Sequence, residues 1–349
     1  MPYLLHPDEL DELLAEEPGF RTAQLRHWLY RQPVFDALEM TNLPKSLRQA
    51  LTERLWPFSV EADRVGDGGT TRKWLFRAPD DADIEAVLMG YPNRATLCIS
   101  SQAGCALGCT FCATGQYGFE RHLQAGEIVA QVAYAAAFLR QVGMPGVPDH
   151  LTNVVFMGMG EPLANYPRVR EAIRRMVDEM GMSPRSITVS TVGIVPGIRR
   201  LAAEGWPINL AISLHAADDE LRTSLVPINR RYPIADLESA AIDFRAQTGR
   251  RVSIEWTMME GVNDGIEQAR RLGDIARRIR AHVNLIALNP TPGSQEKASG
   301  QETIQTFRST LVDLGVNTTI RDTRGRGIEA ACGQLRAANR PSPQRVEVR

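Results

Sequence analysis

Three of the chain's five cysteines lie within eight residues, in the segment "GCALGCTFCATG". Cys105, Cys109 and Cys112 have the spacing C-x3-C-x2-C among glycines. Five cysteines clustered in this way are too few for a disulfide framework, whereas closely spaced thiolates are typical metal ligands. The segment therefore predicts a metal centre.

The number of thiolates indicates which metal centre it is. A structural zinc site uses four protein ligands, and no second cysteine pair follows Cys112 closely. An iron–sulfur cluster normally takes four thiolates, so three would hold three irons of a four-iron cluster and leave one iron open to a small ligand. Buried structural cysteines are the remaining alternative, which the tight spacing among glycines disfavours.

Glycine and polar residues follow several predicted strands at the same end. Carboxyl ends of parallel strands meet at one edge, where the ligands of β/α barrels bind. A glycine there lets the backbone approach a ligand, and a carboxylate can bind an ammonium group. The candidate ligand-binding residues, with the intervening Leu214, are Gly160, Glu161, Ser190, Ser213, Leu214, His215 and Asn289.

The two remaining cysteines are isolated in the sequence. Cys98 lies in a predicted strand seven residues before Cys105, and Cys332 follows a loop rich in glycine and arginine. Positive charge beside an exposed thiol lowers its pKa, so this loop predicts a reactive Cys332. Each of the two could instead be a small buried residue.

The elements that must position these residues alternate regularly from about residue 95. Predicted strands such as "TLCIS", "TNVVFMG" and "INLAISLH" are separated by helical stretches such as "AGEIVAQVAYAAAFLRQV". This α/β alternation predicts a parallel sheet with helices outside, in a partial or complete (β/α) barrel. The "GDGG" segment before it predicts a hairpin turn rather than a phosphate loop, because no lysine–serine pair and helix follow.

The pattern divides the 349 residues into four parts. Residues 1–60 read as a small helical N-terminal domain, and residues 61–94 as a β-rich connecting segment. Residues 95–335 form the predicted catalytic barrel with the loop that carries Cys332. Residues 336–349 have no core pattern and predict a disordered tail.

Charge is unevenly distributed although the net charge is −1. Residues 20–56 hold six bases against three acids, and residues 320–349 hold seven arginines against three acids. Such faces can contact nucleic acid, although an ordinary solvated helix surface has a similar composition. The acidic N-terminus and the lack of an apolar run of roughly 18 residues predict a cytoplasmic protein without a membrane partner.

The cysteine spacing, with Phe111 just before the third cysteine, resembles the radical S-adenosylmethionine (SAM) superfamily. The segments "TLCISSQAGCALGCTFCATG", "FMGMGEPLANY", "ITVSTVGIVP" and "IEAACGQL" further resemble its methyltransferases that act on C2 of adenine in RNA. The resemblance implies the radical SAM barrel, a 4Fe–4S cluster on the three cysteines, and two SAM molecules per turnover. It also implies that residues 1–60 recognise RNA.

The same resemblance assigns three catalytic residues. Cys332 would accept a methyl group, Glu85 would remove the C2 proton of the adenine, and Cys98 would attack Cys332 to release the product and leave a disulfide. The implied partners are 23S ribosomal RNA, in some bacteria also tRNA beside the anticodon, and an electron-donating reductase. Nothing in the residues alone singles out Glu85, because a glutamate in an alternating strand is usually solvated.

Two alternatives remain open at this stage. A relative in the same superfamily methylates C8 of the same adenine and shares the cysteine plan, so the motifs barely separate the two reactions. A non-catalytic RNA-binding protein with a structural metal belongs to another class. Cys98 and Cys332 disfavour it, because such a protein would not need them.

Overall fold

The computed structural model describes residues 1–291 and 294–335. The predicted disordered tail, residues 336–349, lies outside the described residues. Within these ranges no helix combines the length and the apolar character needed to cross a membrane.

The strands and helices follow the alternation expected from the sequence. The strands are β1 (Ser59–Gly66), β2 (Thr71–Arg77), β3 (Asp83–Tyr91), β4 (Arg94–Cys98), β5 (Gln102–Gly104), β6 (Phe119–His122), β7 (Asn153–Phe156), β8 (Ile187–Thr191), β9 (Asn209–Ser213), β10 (Val252–Met258), β11 (His282–Ala287) and β12 (Thr318–Ile320). The helices are α1 (Leu10–Leu13), α2 (Phe20–Arg26), α3 (Lys45–Thr52), α4 (Ala113–Tyr117), α5 (Ala125–Gln141), α6 (Tyr166–Asp178), α7 (Val195–Ala203), α8 (Asp219–Leu225), α9 (Ile234–Thr248), α10 (Ile266–Ile279) and α11 (Gln301–Asp313).

One ten-stranded sheet runs through the molecule in the order β1-β2-β3-β4-β7-β8-β9-β10-β11-β12. The strands from β4 to β12 in this order are parallel, and β1 to β4 pair antiparallel. Among the described residues β1 and β12 do not pair with each other, so the α/β fold is a partial barrel. The "GDGG" segment forms the turn between β1 and β2, as predicted.

Alternating side chains on the strands separate the core from the interior of the partial barrel. On β10, Ile254 and Trp256 are fully buried, and Trp256 packs against Phe307 of α11. Ser253 and Glu255, which alternate with them along the strand, face a cavity that the strands from β3 to β12 in the order of the sheet line. Apolar side chains thus bind the helices to the sheet, while polar ones are directed inward.

The N-terminal helices pack against α5 and α6. The carboxylate of Glu179 pairs with Arg26, and the guanidinium of Arg175 donates to the backbone carbonyls of Tyr3 and Leu5. Residues 59–91 form strands that extend the sheet of the barrel, and the division at residues 60 and 94 stays a prediction. The helical N-terminus is therefore held on the outer layer of the partial barrel.

Candidate active site

The three-cysteine segment is a loop between β5 and α4. Gly104 has a φ of 73°, and a Cβ there would lie 2.0 Å from the carbonyl oxygen of Gly118, so this close approach requires glycine. The N–H of Cys105 donates to the same carbonyl over 2.7 Å. Cys112 is the N-cap of α4, and its N–H donates to the carbonyl of Cys109 over 3.3 Å. These hydrogen bonds close the loop on itself, and the N–H of Thr110 also donates to the carbonyl of Leu225 over 3.2 Å.

The three thiols line one cavity of about 170 Å³, called here the cluster cavity. Burial raises the pKa of Cys105 to about 12 and raises the pKa of Cys109 well above its usual range. A metal must therefore displace the thiol protons when it binds. Within residues 1–291 and 294–335, no three His, Cys, Asp or Glu side chains converge as ligands of a single metal ion would.

Glu161 lines the cluster cavity and lies five residues after the end of β7. Its Oε1 accepts from the N–H of Leu163 over 3.0 Å, and its Oε2 accepts from the N–H of Val192 over 2.9 Å. Burial raises its pKa to about 7 in spite of these hydrogen bonds. A cationic group bound in the cavity would stabilise the charged carboxylate. Gly160 has a φ of 92°, and a Cβ there would lie 2.4 Å from Cβ of Gln102.

Four other predicted strand-end residues line the same cavity. The hydroxyls of Ser190 and Ser213 lie 3.4 Å apart. His215 has a φ of 61°, and its Nδ1 accepts from the N–H of Thr257 over 3.0 Å. Burial, together with a nearby arginine, lowers the pKa of His215 to about 3, so the imidazole is neutral. The Nδ2 of Asn289 donates to the carbonyl of Cys332 over 3.0 Å.

Two further observations bear on a bound ligand. Oδ1 of Asn289 is buried and has no hydrogen-bond partner among the described residues, so a ligand donor would satisfy it. Leu214, the remaining candidate ligand-binding residue, does not line the cavity, because its side chain packs in the main hydrophobic core. The three loop thiols, two carboxylates, several hydroxyl groups and the amide of Asn289 form a donor set that fits a cluster with three protein ligands and an amino-acid-like molecule beside it.

Cys332 joins the cluster cavity to a second one. The second cavity has a volume of about 600 Å³, runs along the inner faces of strands β3 to β12, and is called here the sheet cavity. Cys98, at the end of β4, lines the sheet cavity. Cys332 lines both. The structure therefore brings the two isolated cysteines together, and all five cysteines are free thiols.

The environment of Cys332 differs from the prediction. The residue is exposed, as predicted, and borders open cavity space, but the neighbouring protein partly desolvates the thiol and raises its pKa, while Arg321 lowers it. The expectation of a lowered pKa was wrong because desolvation outweighs the nearby positive charge. Burial likewise raises the pKa of Cys98, and the Cys332 charge raises it further.

Glu85 lies beside these groups but lines neither cavity. It is on β3, two residues before Val87, which pairs with Cys98. Its carboxylate forms a buried ion pair with Lys73 over 2.8 Å, and its backbone carbonyl accepts from the hydroxyl of Ser100 over 2.6 Å. The predicted base is thus next to the cysteine pair and held by a lysine.

Sequence reasoning missed several residues of the site. Glu255 and Arg321 line both cavities, with Arg321 Nη2 3.4 Å from the carboxylate of Glu255. Arg222 is fully buried and donates to the carbonyls of Leu214 and Val192 over 3.1 and 2.6 Å. The position of Glu255 as the one charged residue of β10 was the available signal.

The comparison with protein families first defines the class. A model described as the Radical SAM superfamily matches residues 99–273. The crystal structure of a radical SAM methyltransferase from Sphaerobacter thermophilus superposes with a TM-score of 0.90 at 48% identity, covering 96% of this chain and 98% of that chain. Together with the three-cysteine loop, these matches make the protein a radical SAM enzyme, a class that uses a 4Fe–4S cluster and SAM.

The N-terminus and close relatives then define the family. A model described as the ribosomal RNA large subunit methyltransferase N-terminal domain matches residues 5–56. A probable dual-specificity RNA methyltransferase RlmN from Chloroflexus aurantiacus is 51% identical over 94% of this chain and 90% of its own length. One from Frankia alni is 50% identical over 95% and 81%. The chain belongs to the RlmN family of dual-specificity RNA methyltransferases, which excludes the non-catalytic alternative.

Proposed function

We propose that the protein methylates C2 of one adenine in the peptidyl-transferase centre of 23S ribosomal RNA, and C2 of an adenine beside the anticodon of tRNAs. The methyl group is carried on Cys332. One observation supports this most directly: Cys332 lies where the cluster cavity meets the sheet cavity, with the three-cysteine loop on one side and Cys98 on the other. A thiol in this place can receive a methyl group and pass it to a base.

Residues of the cluster cavity would hold the cofactors. Cys105, Cys109 and Cys112 would bind the 4Fe–4S cluster, and Glu161 would bind the amino group of SAM. When bound, the cluster and SAM supply a 5′-deoxyadenosyl radical that removes a hydrogen atom from the methyl group on the Cys332 sulfur. The unsatisfied amide oxygen of Asn289 would accept from SAM, because no protein donor reaches it among the described residues.

Cys332 begins the reaction as a nucleophile. Its thiolate takes the methyl group of a first SAM by displacement, and S-adenosylhomocysteine leaves. Arg321 supports this step, because its charge lowers the pKa of Cys332 against the effect of burial. The methylene radical formed later on this sulfur adds to C2 of the adenine, an electron-poor carbon that does not attack SAM itself.

Glu85 and Cys98 complete the reaction. Glu85 removes the C2 proton of the protein–RNA adduct, and the electron pair of the C–H bond stays in the purine ring. The bound cluster would serve as the acceptor of the odd electron that the adduct gives up. Cys98 then attacks the sulfur of Cys332, so that a disulfide forms and the methylated RNA leaves with a proton on its new methyl group. A reductase must restore the two thiols and supply the electron that starts radical formation.

RNA recognition would involve the helical N-terminus. The match at residues 5–56 and the exposed Lys45 and Arg54 support this role. The target adenine must be unstacked to reach Cys332, as for other enzymes that modify a base. These RNAs imply a cytoplasmic location.

The test is mass spectrometry of nucleosides from 23S rRNA and tRNA after anaerobic incubation with SAM and a reductant. We expect 2-methyladenosine with the wild-type enzyme and none with Cys332→Ala. Detection of 8-methyladenosine would show that the enzyme methylates C8 of the adenine and not C2. Methylation of rRNA alone would remove tRNA from the proposal.

A further inference from the structure

A buried lysine connects two segments to which the proposed function gives separate roles. The Lys73 side chain is 3% exposed, and its Nζ lies 2.8 Å from Oε1 of Glu85. The same Nζ donates to the backbone carbonyl of Glu329 over 2.9 Å. Glu329 precedes Cys332 by three residues. One ammonium group therefore contacts both the proposed base and the segment that carries the methyl-bearing thiol.

The register of the sheet places Lys73 next to the reacting groups. Lys73 lies opposite Val87 on β3, and Val87 lies opposite Cys98 on β4. Residues opposite each other share a face of the sheet, as do residues two apart on one strand. Lys73, Glu85 and Cys98 consequently lie on the same face, the one that carries the sheet cavity.

The burial of this pair makes each charge depend on the other. The Glu85 side chain is 1% exposed, and an isolated carboxylate so far from water is unfavourable. Removing one partner of a buried ion pair leaves an uncompensated charge, which a carboxylate relieves by taking up a proton. A protonated Glu85 could not accept the C2 proton of the adenine.

We propose that Lys73 is a positioning residue for proton removal from the protein–RNA adduct. It keeps Glu85 ionised and, through the Glu329 carbonyl, fixes the position of that carboxylate relative to Cys332. This inference rests on the proposed roles of Glu85 and Cys332. In the step that Lys73 supports, the C2–H bond breaks, the proton bonds to a Glu85 oxygen, and the electron pair remains in the purine ring.

A positioning role makes a prediction specific to one step. Cys332 methylation by the first SAM needs no base at C2, so it should proceed in a Lys73→Met variant. Proton removal should slow by about 100-fold or more, the usual contribution of a general base. The covalent adduct should therefore accumulate, and Lys73→Arg, which keeps the charge, should recover much of the product release.

The experiment uses the anaerobically purified holoenzyme with SAM, reductant and RNA that carries deuterium at C2 of the target adenine. Three quantities are measured: methyl on Cys332, covalent protein–RNA adduct, and released methylated RNA. Mass spectrometry of the nuclease-digested adduct should show that the Lys73→Met adduct retains its deuterium. An adduct without deuterium, or release at the wild-type rate, would overturn the proposal.

A second variant separates chemistry from stability. Lys73→Met/Glu85→Gln leaves no buried charge unpaired, so it should regain the thermal stability lost in Lys73→Met but should still not release product. Recovery of product release in this double variant would show that the pair is only structural. Equal losses of Cys332 methylation and of product release in Lys73→Met would lead to the same conclusion.

Glu85→Gln alone distinguishes this inference from the proposed function. Product release at the wild-type rate in Glu85→Gln would remove Glu85 as the base and would contradict the proposed function. If Glu85→Gln stalls at the adduct while Lys73→Met releases product at the wild-type rate, the proposed function stays intact and only the role of Lys73 is overturned.

Discussion

The loop of the three clustered cysteines and the segment that carries Cys332 are held in different ways. Residues 104–118 are closed by a hydrogen bond between their own ends, from the N–H of Cys105 to the carbonyl of Gly118. Residues 325–335 are held by partners far away in the sequence, among them the Asp67 carboxylate and the hydroxyl of Thr114. The three-cysteine loop thus closes on itself, although the N–H of Thr110 also donates to the carbonyl of Leu225, whereas both ends of the Cys332 segment are held by residues far away in the sequence.

The two segments also meet. The N–H of Ala113 donates to the carbonyl of Gly333 over 2.8 Å, and these two residues directly follow Cys112 and Cys332. Loss of a cluster-binding thiol from the cysteine loop should therefore affect both functions. Changes on the far side of the Cys332 segment should affect methyl transfer alone.

The largest effect is expected for Cys109→Ala. Cys109 is the most enclosed of the three loop thiols, and three ligands are already the minimum for the cluster. We expect loss of bound iron and sulfide, measured by chemical analysis of the anaerobic protein, together with loss of SAM cleavage. Cys98→Ala is the matched control and should keep both. Full iron, sulfide and activity in Cys109→Ala would refute the cluster assignment.

Cys332→Ala should separate the function of the Cys332 segment completely from that of the three-cysteine loop. We expect the cluster and the SAM cleavage to remain, while no methyl group reaches RNA, because the acceptor sulfur is gone. Peptide mass spectrometry of the wild-type protein should find a methyl group on Cys332 and on no other cysteine. A methyl group on Cys98 would reverse the roles of these two residues.

Cys98→Ala should stop the reaction late. Cys332 methylation and attack on RNA should proceed, but no thiolate displaces the sulfur, so a covalent protein–RNA species should accumulate and shorten on nuclease digestion. A purely packing role for Cys98 predicts instead a loss of about 1 kcal/mol in the free energy of unfolding and normal turnover.

Arg321→Met should change the pH dependence of Cys332 methylation. Burial raises the pKa of this thiol and Arg321 lowers it, so the methylation rate rises with pH as the thiolate forms. Without the arginine the rise should move to higher pH, with about a tenfold slower rate at neutral pH for each unit of movement. The pH profile of Arg321→Lys should lie nearer that of the wild type, because lysine keeps the positive charge. An unchanged pH profile measured by radiolabelled SAM would exclude this influence of Arg321.

The smallest effect is expected for Thr114→Val, which removes the hydrogen bond to the carbonyl of Leu335. We expect a decrease of about 1 kcal/mol in the free energy of unfolding. Cys332 methylation should slow by no more than about fivefold, which corresponds to that energy. Iron content should not change. Thr110→Val, at an exposed hydroxyl of the same loop, should have no effect on methylation.

The sequence was sufficient for the features that depend on spacing and strand order. The three cysteines share a loop because they are neighbours in the chain, and Glu161, Ser190 and Asn289 share a cavity because parallel strands end at one edge. Leu214 illustrates the limit, since it lies between two lining residues but directs its side chain into the core.

Features that depend on contacts between segments far apart in the sequence could not be predicted from spacing and strand order. The arginines before Cys332 suggested that the thiol is surrounded by positive charge. In the structure Arg324 binds Thr70 and Asp322 instead, while Arg321 lowers the pKa of the thiol. Lys73 and Glu85 become partners only through the register of β2 and β3 and the contact with Glu329. No local pattern carries this information.

Cys332 follows β12, the last strand among the described residues, and this order has a consequence for synthesis. A ribosome makes every strand of the sheet and all three loop cysteines before it adds this residue. With the role proposed for Cys332, a growing chain has its three-cysteine loop before it has the thiol that accepts the methyl group. The order of the chain delays the RNA-modifying step until the barrel around it has been made.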